Sequence, residues 1–339
     1  MSEVKKLVDI SIDDIEPVEV SELEKRRVKQ HVLGRKKRRK PYQAIAAAAV
    51  IVIGAGIAGS FAAPSLATQI PIIQNIMSYF TEEDSYNENF AKVAADISQT
   101  QTSNGVSVMV EDAVFDGSSI TVSYAIQTDK DLGENPYLKN PLEVKGSDGM
   151  GGSGRIEKIN SSTYVGTEKI TPHFNGKTPN SLAVRWEPKA FVNMETNESV
   201  KGDWKFAFNV RSLENQKEVV NQTVSAHGVS VVIQSLETND LSTIIHYGRF
   251  IDDKAILEKW PDVSVEIKTA VDDLGNSYKV DSNGGISRDN GISFDDSSTI
   301  KSVDRRAKSL TVVPVIYFSK GSGEGLDTKE MDPIQIELK

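Results

Sequence analysis

The 339-residue sequence contains no cysteine, which removes disulfide bonds, thiolate metal sites and cysteine nucleophiles together. Histidine is scarce as well: His31, His173, His227 and His246 are the four present. His227 falls in a predicted turn, and His246 reads as a strand-surface residue rather than a ligand. Neither a G-x-S-x-G elbow nor an H-E-x-x-H helix occurs. Asp272-Asp273-Leu274-Gly275-Asn276 and Asp295-Asp296 lack the spacing of an EF-hand loop, and the first of them reads as a hairpin turn. Asn160, Asn197 and Asn221 form N-x-S/T sequons, which matter only in a glycosylating host. These absences leave no enzymatic activity, cofactor or metal to be expected. A further absence is local: no charged residue lies between Pro41 and Thr81.

Charge elsewhere is unevenly placed. Residues 1–24 carry eight acidic and two basic side chains, residues 25–40 carry ten basic and no acidic ones, and residues 81–339 carry 40 acidic against 27 basic. The uncharged stretch YQAIAAAAVIVIGAGIAGSFAA at 42–63 is 22 residues long, enough to cross a hydrocarbon core as a helix. Its seven Ile, Val and Phe residues contribute roughly −3 kcal/mol to insertion. Gly54, Gly56 and Gly59 have the spacing of a dinucleotide fingerprint. Pro64 and Pro71 would break the helix such a site needs, and no alternating β and α segments follow. In a membrane span, Ala55, Gly56 and Gly59 either fill an alanine-rich helix or let a second helix approach closely. Arg35, Lys36, Lys37, Arg38, Arg39 and Lys40 precede the span, and no basic residue follows it for 28 residues. The positive-inside rule therefore puts the N-terminus in the cytoplasm and the C-terminal bulk outside. With 40 residues ahead of the apolar run, an uncleaved anchor fits better than a cleaved signal peptide. The basic run is assigned to topology and lipid headgroups, with no nucleic-acid partner.

Ser21-Glu22-Leu23-Glu24 is a capping box, and Gly34 suits the position just past a helix end, so a helix is expected over about 22–33. Its apolar positions are Leu23, Val28, Val32 and Leu33. The stripe is too narrow to fold alone, which leaves a partner-binding segment or a topogenic leader as readings.

Beyond the span the sequence repeats. Residues 97–124 and 220–247 align without a gap at an offset of 123, with identities at Gln99/Gln222, Thr100/Thr223, Gly105/Gly228, Val106/Val229, Ser107/Ser230, Val108/Val231, Ser119/Ser242 and Tyr124/Tyr247. Period-two β-branched residues and the turns Asn104-Gly105 and Asp116-Gly117 mark a meander in each copy. SLAVRW (181–186), WKFAFNV (204–210), SLTVVPVIYF (309–318) and PIQIELK (333–339) continue as strands. The expected fold is mainly β: two tandem β-sandwich, immunoglobulin-like modules outside the membrane, behind a single N-terminal transmembrane helix. The expected segments are a tail (1–40), a span (41–64), a connector (65–94), a first module (95–215) and a second module (216–339). Within the connector, IPIIQNIMSYF (70–80) either rests on the bilayer or packs under the first module, and ENFAKVAADI (88–97) forms a short helix.

The chain resembles membrane-bound anti-sigma factors of Bacillus-type Firmicutes that carry an extracellular DUF4179-type domain. The resemblance rests on VSELEKRRVKQHVLGRKKRRK (20–40), the span, APSLATQIPIIQNIMSYF (63–80), GDWKFAFNV (202–210) and the β-rich second module. It implies that the tail holds an extracytoplasmic-function sigma factor at the membrane, through Leu23, Val28, Val32 and Leu33 with Glu22 and Lys29 at the rim. A second membrane protein is a further candidate partner, because this tail has no zinc motif and is short. The rival reading is a membrane-anchored surface protein whose tandem modules bind wall polymer or protein.

Overall fold

The computed structural model describes residues 76–80, 84–140, 142–321 and 325–339. The tail helix and the span expected at 42–63 lie outside those residues. Among the described residues, no helix is long and apolar enough to cross a membrane.

The chain after residue 94 is mainly β. In the first module, β1 (Ala95–Ser103), β2 (Val106–Phe115) and β3 (Ile120–Thr128) form an antiparallel meander. Then come β4 (Tyr137–Lys139), β5 (Glu143–Val144), β6 (Gly149–Lys158) and β7 (Thr163–His173), followed by β8 (Ser181–Trp186), β9 (Ala190–Val192), β10 (Ser199–Lys201) and β11 (Phe206–Arg211). One layer is the sheet β1-β2-β3-β7-β6; the other consists of two short sheets, β10-β9-β4 and β11-β8-β5. Alternation explains the faces: in SLAVRW the residues Leu182, Val184 and Trp186 are buried and their neighbours exposed. Trp186 packs between Tyr124 and Phe206, with ring centroids 4.8 and 5.3 Å away. The indole of Trp204 donates to the Val106 carbonyl at 2.9 Å, tying the approach to β11 to β2. Gly202 is required there, because any side chain at that position would collide with the Trp204 ring.

The second module repeats the plan. Its strands are β12 (Gln216–Ala226), β13 (Val229–Thr238), β14 (Ser242–Ile251), β15 (Asp262–Asp272), β16 (Ser277–Tyr278), β17 (Asp281–Arg288), β18 (Ser293–Lys301), β19 (Ser309–Ser319), β20 (Leu326–Glu330) and β21 (Ile334–Glu337). The sheet β12-β13-β14-β18-β17 faces β16-β15-β19-β20, and β21 pairs with β19. A core of Val, Ile and Leu side chains from both layers fills the space between them.

The repeat extends to irregularities. The register shifts between Asp96 and Gln99 in β1 and between Val219 and Gln222 in β12, and Ser98 and Asn221 both take positive φ there. A second pair of bulges, Val110/Asp112 and Ile233/Ser235, follows the same offset. Asn104-Gly105 and His227-Gly228 turn with φ of 48° and 73°, and of 53° and 73°.

The strand order departs from the immunoglobulin arrangement expected. An immunoglobulin chain sends its third strand to the opposite sheet, whereas β1, β2 and β3 are consecutive neighbours in one sheet. The cause is the short β2–β3 connection: the Asp116 carboxylate accepts from the Ser118 and Ser119 amides at 2.8 and 2.7 Å, turning the chain straight back.

The connector also differs from expectation. A 3-10 turn (Ile76–Tyr79) leads to α1 (Asp84–Val93), which starts before Glu88 and ends before Ala95. Ile97 belongs to β1 because its side chain is buried in the first core. Ile76 and Met77 are buried, so this end of IPIIQNIMSYF packs on protein.

Candidate functional site at the seam of the two modules

The two modules meet through equivalent turns. Asp116 and Asn239 are 123 residues apart, and each caps its own β-turn: Asn239 Oδ1 accepts from the Leu241 and Ser242 amides at 2.8 and 2.9 Å. The turns also bond to each other. Asn239 Nδ2 donates to the Asp116 carbonyl at 3.1 Å, and the Ser242 hydroxyl donates to Asp116 Oδ2 at 3.3 Å.

The linker, residues 212–215, is threaded into the same place. Asn215 Nδ2 donates to the Asp116 carbonyl at 2.9 Å, and its Oδ1 accepts from Asn239 at 2.8 Å. Gly117, at φ 106°, leaves the room this needs: a side chain there would collide with Asn215. Burial raises the Asp116 carboxyl above its ordinary value, against the opposing pull of the Ser119 and Ser118 amides and the Lys169 charge. Asn283 closes the far side, donating to Thr299 at 2.8 Å and Ser118 at 3.3 Å. Lys169 of β7 and Asp281 of β17 pair across the seam at 3.5 Å.

The connector lies over this seam. Met77 and Phe90 join Val114 of the first module and Leu241 of the second in one apolar cluster, with Tyr86, Val93 and Leu213 at its edge. Asn89 Nδ2 donates to the Asp240 carbonyl at 3.1 Å. Ile76 is buried with Ala125 and Val165 on the outer face of the first sheet. A cavity of about 510 Å³ opens beside the cluster, lined by Met77, Phe80, Tyr86, Asp116, Lys169 and Leu241 among others. The chemistry of the arrangement is that of a clasp, in which buried amides and apolar side chains hold three pieces of chain together.

The residues singled out from sequence fall elsewhere. Glu22, Leu23, Val28, Lys29, Val32, Leu33, the basic run Arg35 to Lys40, and Ala55, Gly56 and Gly59 all lie outside the described residues. Asp272 caps the expected hairpin turn, accepting from Leu274 and Asn276 amides at 3.0 and 2.8 Å. His246 sits on a strand with its Nε2 3.7 Å from Glu237. No cluster of three or more His, Cys, Asp or Glu able to hold a metal occurs among the described residues. No single residue of the seam signals it in the sequence, although the alignment at an offset of 123 pairs Asp116 with Asn239.

Two family models match the chain. Residues 35–128 match a domain of unknown function, DUF4179, and residues 215–338 match a family of unknown function, DUF5643. The first match ends with β3, and the second begins at the last linker residue and takes in the second module. The crystal structure of the conserved domain protein from Bacillus anthracis is similar at 26% identity with a TM-score of 0.70, covering 79% of this chain and 100% of that one. No curated protein matches the chain.

Proposed function

We propose that this protein is a single-pass membrane anti-sigma factor, holding an extracytoplasmic-function sigma factor at the inner leaflet and reading envelope state through its exported β-modules. The observation that carries the reading is the seam. The segment following the candidate span is buried against both modules through Met77, Phe90, Val114 and Leu241. A change in how the modules meet therefore changes the footing of the segment that leads to the span. The DUF4179 match supports the same reading: it starts within the basic run and ends with β3, and such domains are often found in anti-sigma-factor-like proteins. In this reading Leu23, Val28, Val32 and Leu33 face the sigma factor with Glu22 and Lys29 at the rim. Arg35 to Lys40 face lipid headgroups, and Ala55, Gly56 and Gly59 are where a second membrane protein would pack.

The test uses the full-length tagged chain and a variant lacking residues 2–24 but keeping the basic run. The full chain should co-purify a sigma factor, and the deletion should lose it and raise transcription of the sigma factor's targets. Recovery of no sigma factor, with transcription unchanged, would leave the membrane-anchored surface protein as the reading.

A further inference from the structure

The edge strand of the first module, whose Ser153, Gly154 and Arg155 also line the seam cavity and whose Gly151 lies near the Asn283 carbonyl of β17, carries a second feature. β6 runs Gly149-Met150-Gly151-Gly152-Ser153-Gly154 before its first charge at Arg155, and residues 149–155 are exposed. It is the last strand of its sheet, and among the described residues no strand pairs with its outer edge. Natural sheets blunt such edges with charge, proline or a covering element; residues 149–154 have neither charge nor proline. A cavity of about 400 Å³ lies along it, between β6 and the segment leading into β4. Tyr137, Met150 and Met194 line that cavity and remain 56%, 41% and 63% exposed.

Glu168 lines the same cavity from β7, although the residue is only 4% exposed. Its carboxylate lies over Gly154, where any side chain would collide with it. Tyr124 Oη donates to Oε1 at a long 3.4 Å. Among the described residues no lysine or arginine pairs with it: Arg155 pairs with Glu157 and Lys169 with Asp281. Burial pushes its pKa up to about 7. A carboxylate kept from water without a cation is a costly group, and a ligand cation would relieve that cost.

We propose that this edge binds an extended peptide bearing a primary amine. The ammonium ion-pairs with Glu168, the peptide backbone adds to β6, and flanking apolar side chains rest on Tyr137, Met150 and Met194. Glycine at four of six positions lets a second backbone approach, as strand addition requires. The proposal stands independently of the reading of the N-terminal tail.

The test is calorimetric titration of the full-length chain, in nanodiscs of zwitterionic lipid, with acetyl-Thr-Val-Lys-Val-Thr-amide. The control peptide has norleucine in place of lysine, which keeps the stem and removes the charge. The lysine peptide should bind about tenfold more tightly, and Glu168→Gln, which keeps a partner for Tyr124, should erase that preference. Met194→Ala, at an exposed position, should weaken both peptides. Equal binding of the two peptides, no binding of either, or a lysine preference that survives Glu168→Gln would overturn the proposal.

Discussion

Tyr124 reaches Glu168 in the first module; Tyr247, its equivalent, reaches Ser298 and the Val265 carbonyl in the second. Gly166 pairs with Tyr124 across the sheet and Asp296 with Tyr247, so Glu168 and Ser298 occupy equivalent places two residues on. One copy satisfies a buried phenol with a hydroxyl, and the other with a carboxylate held above its ordinary range. The seam shows the same divergence: Asp116 stands where the second copy has Asn239, and both cap the same turn. The repeated sheets keep backbone geometry down to the bulges, while chemistry has moved at positions that the geometry leaves free. The outer layers diverge further. The first is built on Trp186, Phe191, Trp204 and Phe206, the second mainly on aliphatic side chains with Tyr278 and Phe318 among them.

The aromatic layer offers the largest contrast. Trp204→Ala should cost about 3–5 kcal/mol, since it empties a core site and removes the bond to Val106. Urea unfolding followed by module-specific proteolysis should then show the first module lost before the second. A shared, unsplit loss of both would mean that the seam makes them one cooperative unit.

The tyrosine partners come next. Glu168 is raised from 4.5 to about 7, so the folded state holds its proton more tightly than the unfolded chain. Its contribution is fully present below about pH 4.5 and is lost as pH rises through about 7, a decline of up to about 3 kcal/mol. Glu168→Gln should flatten that stretch of the stability–pH curve, whereas Ser298→Ala should leave it in place.

Smaller effects belong to the turns. Asn239→Asp removes the donations from Nδ2 to the Asp116 carbonyl, to Asn215 and to the Ser242 hydroxyl, and should cost about 1–3 kcal/mol. Asp116→Asn keeps the turn and removes a carboxylate that burial disfavours, so it should be close to neutral at low pH and stabilising as pH rises. Denaturant midpoints for the two variants, measured across pH, separate the outcomes.

Much of this was legible in the residues. The offset of 123 located β2 and β13 together, and SLAVRW showed its buried face by alternation alone. The hairpin turn at Asp272 was equally plain, because a side-chain cap and a glycine at positive φ are local chemistry. The strand order was not legible: hydrophobic period gives a strand and a face, but not which sheet the third strand joins. The seam was hidden for a related reason. Asn215, Asn239 and Asp116 read singly as turn residues, and only the packing of one module on the other makes their remaining donors and acceptors meet. Glu168 gives no signal, since nothing in TYVGTEKITPH says that its carboxylate folds over Gly154 of the neighbouring strand β6.

The clasp over the seam also sets an order of assembly. Asn89 bonds to a carbonyl 151 residues further along the chain, and Phe90 shares its cluster with Leu241. A growing chain that has completed β11 lacks this wall, so Met77 and Phe90 keep an unburied side until the turn between β13 and β14 emerges. The connector is among the first described segments to be made, yet it reaches its final packing only after the β13–β14 turn exists.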